Sequence, residues 1–216
     1  MKYYDDNEKF FFRGSFFDIL PEIEREKLRI ASIVDIFRKG ILNEESHVRH
    51  LPTSDTIVFH PDGRCKLNLN SRKLEKRIKD HSLDKFGSFI LTETEYDSLP
   101  NKVEKNGNSY NLEFSPEEIE LYAGRLQSWD EISENPILVA YSRSDLKLLE
   151  RVKRRVFLEN PSHKKMMKLD FNPIHNYDTP IEKICSIGNY FTGCEITIQG
   201  DGLFKAEANV VAFKKS

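Results

Sequence analysis

"PEIEREKLRIASIVDIFRKG" (residues 21–40) carries the strongest periodicity in the chain. Ile23, Leu28, Ile33, Val34 and Phe37 recur on one face at helical spacing. Pro21 suits the opening of a helix, and Lys39-Gly40 supplies a C-terminal cation and a left-handed cap. The spacing therefore predicts one helix over this stretch. Just before it, the aromatic run of residues 9–17, "KFFFRGSFF", predicts a strand. Arg13 sits directly behind three phenylalanines. Either a buried strand ends there and its cation snorkels into solvent, or the charge is held on a stiff strand to meet an anionic ligand.

Outward from these elements, "ILNEESHVRHLPTSD" (41–55) reads as a loop and "TIVFHPDG" (56–63) as a short strand running into a Pro-Asp-Gly turn. "CKLNLN" (65–70) alternates like a half-buried strand, and "SRKLEKRIKDH" (71–81) reads as a polar helix capped by Ser71. "GSFILTE" (87–93) is a strand, and Asn106-Gly107 marks a hairpin within residues 100–114. "NPILVAYS" (135–142) reads as the best buried strand. "SDLKLLERVKRRVFLEN" (144–160) is the second strong helix, with Leu146, Leu149, Val152 and Val156 inward. "KKMMKLDFNPIH" (164–175) adds a strand. The tail from Cys194 alternates on both sides of Gly200-Asp201-Gly202, which predicts a closing hairpin.

Strands interleaved with few helices give an α+β class: a mixed, mainly antiparallel sheet, two main helices and a C-terminal β-hairpin. A length of 216 residues fits one domain over 1–216. Its possible division lies between a 1–142 core and a 143–216 segment holding the second helix and the hairpin.

The charge balance bounds the partners. Lys and Arg total 33 against 35 for Asp and Glu, so any nucleic-acid contact must come from a local patch. Cys65, Cys185 and Cys194 form no paired metal-binding spacing, so neither a disulfide framework nor a metal is expected. No apolar run approaches the roughly 18 residues of a membrane span, and no signal-peptide core opens the chain. These features imply a reduced, cytoplasmic protein without membrane contact.

Residues 113–136, "EFSPEEIELYAGRLQSWDEISENP", admit two readings. Ser115-Pro116-Glu117-Glu118 is a capping box that opens a helix with Ile119, Tyr122, Leu126 and Trp129 at helical spacing. Alternatively "EIELYAG" is a strand ended by Gly124, and a short helix follows Ser128. A strand places Glu118 and Glu120 on one face, whereas a helix sets them about 200° apart.

In order, these pieces resemble the ADP-ribosyltransferase-type toxins of bacteria and their phages. "FFRG" offers Arg13, "IVDIFRKGIL" the following helix and its exit, "TSDT" the hydroxyls Ser54 and Thr56, and "EEIELYAG" the pair Glu118 and Glu120. "TSDT" departs from that family's Ser-Thr-Ser pattern. The resemblance implies an NAD-consuming transferase that modifies nucleic acid or protein in bacterial or phage conflict, with an antitoxin or immunity protein as a possible partner. It implies that Arg13, Ser54, Thr56 and Tyr122 contact NAD, and that Glu118 or Glu120 stabilises the oxocarbenium-like state at the bond being broken. Phe16 and Phe17 could join Tyr122 in stacking on the nicotinamide. The plain alternatives are helix caps and solvated carboxylates for the Glu pair, and turn hydroxyls for Ser54 and Thr56.

A different function follows from residues 146–168, which hold eight cations against Glu150 and Glu159 in a chain whose total is −2. Lys147, Arg151, Arg154 and Arg155 share one side of the helix, opposite the apolar face. Such a concentration suits a non-enzymatic module binding nucleic acid or an acidic protein. His47, His50, His60 and Asp62 form a third, looser group with the residue types of a metal-dependent hydrolase.

Overall fold

The computed structural model describes residues 2–4, 9–41, 51–69, 83, 87–105, 107–128, 130–157, 166–171, 177–190, 195–202 and 208–215. The stretch 21–40 is not one helix. Strand β2 (Lys9–Gly14), which pairs with β1 (Lys2–Tyr4), ends the aromatic run early, and Ser15 caps helix α1 (Phe16–Arg25), which runs through Pro21. Lys27 then adopts φ 55, and Leu28–Ile30 form strand β3. Ser32 and Asp35 make a reciprocal capping box that restarts the chain as helix α2 (Ile33–Lys39). Gly40 closes it at φ 67, as its sequence predicts.

The apolar spacing of residues 21–40 misleads because two helices and a three-residue strand bury these residues in two core clusters, Ile23 and Leu28 in one and Ile33, Val34 and Phe37 in the other. What breaks the helix lies far away in sequence: Ala212, Phe213 and Lys214 pair with β3. They belong to strand β14 (Ala208–Lys214), which sits between β2 and β3 in an antiparallel sheet of order β1-β2-β14-β3. Phe10, Phe12, Val210 and Ala212 face α1, which covers them with Phe16, Ile19, Leu20 and Ile23. Phe11, Val211 and Phe213 face the larger core on the other side. Burial on both faces explains the unbroken phenylalanine run.

The second sheet has the order β10-β11-β13-β12-β4-β5-β9, with β6 (Phe89–Ile90) also against β12. Its strands are β4 (Leu51–Phe59), β5 (Cys65–Asn68), β9 (Glu113–Phe114), β10 (Leu126–Gln127), β11 (Met166–Asp170), β12 (Ile181–Tyr190) and β13 (Glu195–Gly202). β11 and β13 run parallel, and every other pairing is antiparallel, so the α+β class holds. The expected loop at 41–55 is corrected from Leu51 onward, where the chain is already strand. The predicted hairpin at 102–111 forms as β7 (Lys102–Lys105) and β8 (Asn108–Asn111).

The closing hairpin is also corrected. β13 inserts between β11 and β12, whereas β14 joins the other sheet. Gly200 lies inside β13 because a Cβ there would stand 2.9 Å from Ile57 and 3.0 Å from Phe171. The glycine serves close packing rather than a turn.

"NPILVAYS" is helical rather than extended. Asn135 accepts the N–H groups of Ile137 and Leu138 and starts α6 (Pro136–Tyr141) with proline in its first turn. Being buried nearly all round, this helix lacks the polar face that would mark its period. With α2 and α7 (Leu146–Phe157) it covers the second sheet: Ile36, Phe37, Leu138, Tyr141, Leu149 and Val152 join Ile57, Leu67, Leu169 and Ile198 in one cluster. Three short helices complete the order, with α3 (Glu93–Asp97), α4 (Pro116–Tyr122) and α5 (Glu131–Glu134) all preceding α6. Residues 71–81 lie outside the described residues. Among the described residues no helix is long and apolar enough to cross a membrane.

The α2 cap makes a pH prediction. Burial pushes the Asp35 carboxyl up, but hydrogen bonds from Arg29 and Ser32 outweigh it and hold the carboxyl below its ordinary range. A depressed folded value stabilises the protein above the unfolded carboxylate range, near pH 3.9, and this contribution is lost as pH falls through the folded value. Asp35→Asn should therefore flatten the acid limb of a Tm-against-pH curve below about pH 4. An acid limb unchanged from wild type would show that Asp35 carries no such linkage.

Candidate functional site

Helix α7 begins where Asp145 accepts the Leu148 N–H at 2.9 Å. Leu148, Leu149 and Val152 turn inward, and Lys153 follows them, bonding Ser133 and Glu150 at 3.1 and 2.9 Å. Leu146, expected inward, is 54% exposed, because the buried arc is centred on 148, 149 and 152. Val156 lies outside the described side chains, as do Lys164 and Lys165. Lys168 is on β11, ion-paired with Asp170 at 3.2 Å, so it does not extend the helix surface.

Lys147, Arg151 and Arg154 are exposed at i, i+4 and i+7 on the side opposite the buried arc. None of the three has an ion pair among the described residues. Arg155 belongs to the same helix, and its side chain lies outside the described ones.

The C-terminal end of α2 meets the start of α7. Arg38 lies 4.0 Å from Asp145, and its neighbour Lys39 places its ammonium 5.9 Å from the Phe213 ring. Arg29 approaches the same ring at 5.7 Å. Lys214 follows Phe213, and the Lys215 N–H reaches the Lys27 carbonyl at 3.4 Å. The sequence shows each of these cations but not their adjacency, which depends on the β14–β3 pairing.

The mid-chain carboxylates occupy another place. Helix α4 opens with the predicted capping box: Glu118 accepts the Ser115 N–H at 2.8 Å, and Ser115 Oγ accepts the Glu118 N–H at 3.2 Å. "EIELYAG" is therefore helix and not strand, but the helix stops at Tyr122, Leu126 lies on β10, and the short α5 follows. Glu120, on a different side of α4, lines a cleft of about 460 Å³ with Gly63, Pro116, Ile119, Gly124, Arg125 and Phe171. Arg125 is already engaged by Glu131 at 2.6 Å and by the Leu121 carbonyl. Hydrogen bonds from Ser128 and then Arg125 bring the Glu131 carboxyl down to about 2. Tyr122 is half-buried against the core, and its carbonyl accepts from Gln127 and Asn135.

Arg13 stands exposed at the end of β2, opposite Asn209 on β14, and does not line that cleft. Ser54 and Thr56 are not turn hydroxyls. Both are buried within β4, where the Ser54 N–H donates to the Ala31 carbonyl and the Thr56 hydroxyl donates to buried Glu182. Arg13, Ser54, Thr56 and the Glu pair thus lie on two sheets and a helix, and of these Glu120 lines the cleft. Phe16, the first residue of α1, is buried against the first sheet, and Phe17 is exposed.

His60 is held between Asp62 at 2.7 Å and Glu93 at 2.9 Å, and its ring lies tilted against that of Tyr96. His47 and His50 lie outside the described residues, and among those described no three His, Cys, Asp or Glu side chains converge as a metal would need. Cys65 and Cys185 are free and buried, and burial pushes both thiols up.

No protein-family model and no curated protein matches the chain. A solved structure does, described as accommodating massive sequence variation in Nanoarchaeota by the C-type lectin fold. The likeness covers 96% of each chain at a TM-score of 0.60, with 10% sequence identity. It shows a C-type lectin fold. This finding overturns the ADP-ribosyltransferase resemblance, and with it the transferase, toxin and phage-conflict readings. The motif order that suggested them was carried by short local signals: a strand end, a helix cap and core hydroxyls produce the same letters.

Proposed function

We propose that the chain is a non-enzymatic binding module that contacts nucleic acid through the outward cations of α7. The observation that carries this reading is the set Lys147, Arg151 and Arg154, fixed on a core-anchored helix with no acidic partner among the described residues. On a solvated helix face such cations can be paired with acids at i, i+4, and these three are not so paired among the described residues. Here they remain available for phosphate oxygens.

A binding role agrees with the C-type lectin likeness. At 10% identity the two proteins share a scaffold and little surface, so the ligand must be read from this chain's own side chains. The fold of the Nanoarchaeota protein accommodates massive sequence variation, and a scaffold of that kind leaves its surface free to specialise.

Fluorescence anisotropy with a labelled duplex of about 30 base pairs, from about 50 to 200 mM salt, tests the reading. Binding should weaken linearly in log–log form, with a slope of about −2.7 or steeper if three phosphate contacts form. Two outcomes would overturn it: no duplex binding at the lowest salt, or displacement of the duplex by an acidic polypeptide at equal charge concentration.

A further inference from the structure

The cations of α7 do not stand alone. Arg38, which meets Asp145, carries the surface onto α2, and Lys39 and Arg29 continue it across Phe213 to Lys27, Lys214 and Lys215. Arg29 is balanced by Asp35, and Arg38 stands against Asp145, with half-buried Glu24 and Glu26 just before Lys27. Lys27, Lys39, Lys214 and Lys215 are all exposed. These lysines come from three separate segments, brought together by the β14–β3 pairing and the packing of α2.

We infer that the basic surface from α7 across the end of α2 to the Lys27/Lys215 edge is a track for the backbone of a double-stranded nucleic acid. This rests on the nucleic-acid reading above. Duplex is chosen over single strand by the rigid helices and strands that carry the cations. Sequence-tolerant single-strand binders stack bases on exposed aromatic side chains. Phe213, the aromatic ring at the centre of this surface, is only 6% exposed and lies beneath Arg29 and Lys39. Cations spread over rigid elements around a covered ring match regularly spaced phosphates on a stiff double helix.

Neutralising the edge tests the inference on the full chain. The variant Lys27→Gln/Lys39→Gln/Lys214→Gln/Lys215→Gln should make the log–log salt slope for a duplex shallower by about 3 to 4, at about 0.9 for each phosphate no longer neutralised. The pair Lys214→Gln/Lys215→Gln, at the end of the last strand, should account for about half of that change. The same duplex should also bind at least about tenfold more tightly than either of its strands at equal salt, since single strands give a smaller slope per phosphate. A steep wild-type slope that both variants leave unchanged would confine binding to α7 and overturn the track while sparing the function. Equal or tighter binding of single strands would overturn the duplex assignment. Absence of salt-dependent binding in the wild type is a separate result, and it removes the function itself.

Discussion

Asp55→Ala should lower stability by about 3 kcal/mol and Tm by roughly 6–12 °C in a chain of this size. Asp55 lies on β4 with no exposed surface and joins three elements. One carboxylate oxygen accepts the Ile33 N–H at 2.7 Å, at the start of α2. The other accepts from Arg143 at 3.3 Å. Arg143 and Ser144 both hold left-handed backbone, at φ 60 and 59, in the turn from α6 to α7. Non-glycine residues reach that region at a cost, so the surrounding contacts must hold them there. Alanine removes the acceptor of the first N–H of α2 and the ion-pair partner of Arg143 together, leaving that N–H buried without its acceptor. Asp55→Asn keeps an acceptor for Ile33 but gives up the charge, so it should cost about half as much. Thermal unfolding of wild type and both variants checks the order. An Asp55→Ala protein that melts like the wild type would show that the carboxylate does not clamp the α6–α7 turn.

This clamp is not legible in the sequence, although Asp55 stands within "TSDT". Its partners lie 22 and 88 residues away, and no local rule connects them. Other features are legible because their causes are local. Ser115 and Glu118 satisfy each other's backbone within one turn, and α7 shows its polar side plainly. The stretch 21–40 misleads for the opposite reason: β3 is a strand only because β14 pairs with it. Gly200 reads as a turn residue because the packing that demands glycine, against Ile57 and Phe171, is tertiary. The basic surface falls between these cases. Its helical part follows from spacing, while Lys27, Lys39, Lys214 and Lys215 become neighbours only through folding.

Lys147→Gln/Arg151→Gln/Arg154→Gln should abolish most duplex binding while leaving the fold intact. Counterion release gives each neutralised phosphate a salt slope of about 0.9, so near 0.1 M salt the removal of three cations corresponds to about 500-fold in affinity. Glutamine keeps helix propensity close to that of Lys and Arg, and exposed positions change stability by only about 0.5 kcal/mol each. Lys153 provides the contrast on the same helix. It is only 4% exposed and is bonded to Ser133 and Glu150. Lys153→Met should therefore shift Tm and leave the salt slope untouched. A solvated face without a ligand predicts instead that the triple variant binds as the wild type does at every salt concentration. General loss of positive charge predicts that Lys153→Met and any one of the outward substitutions act alike. Only an oriented phosphate-contacting face separates the two, with slope following the outward residues and stability following the inward one.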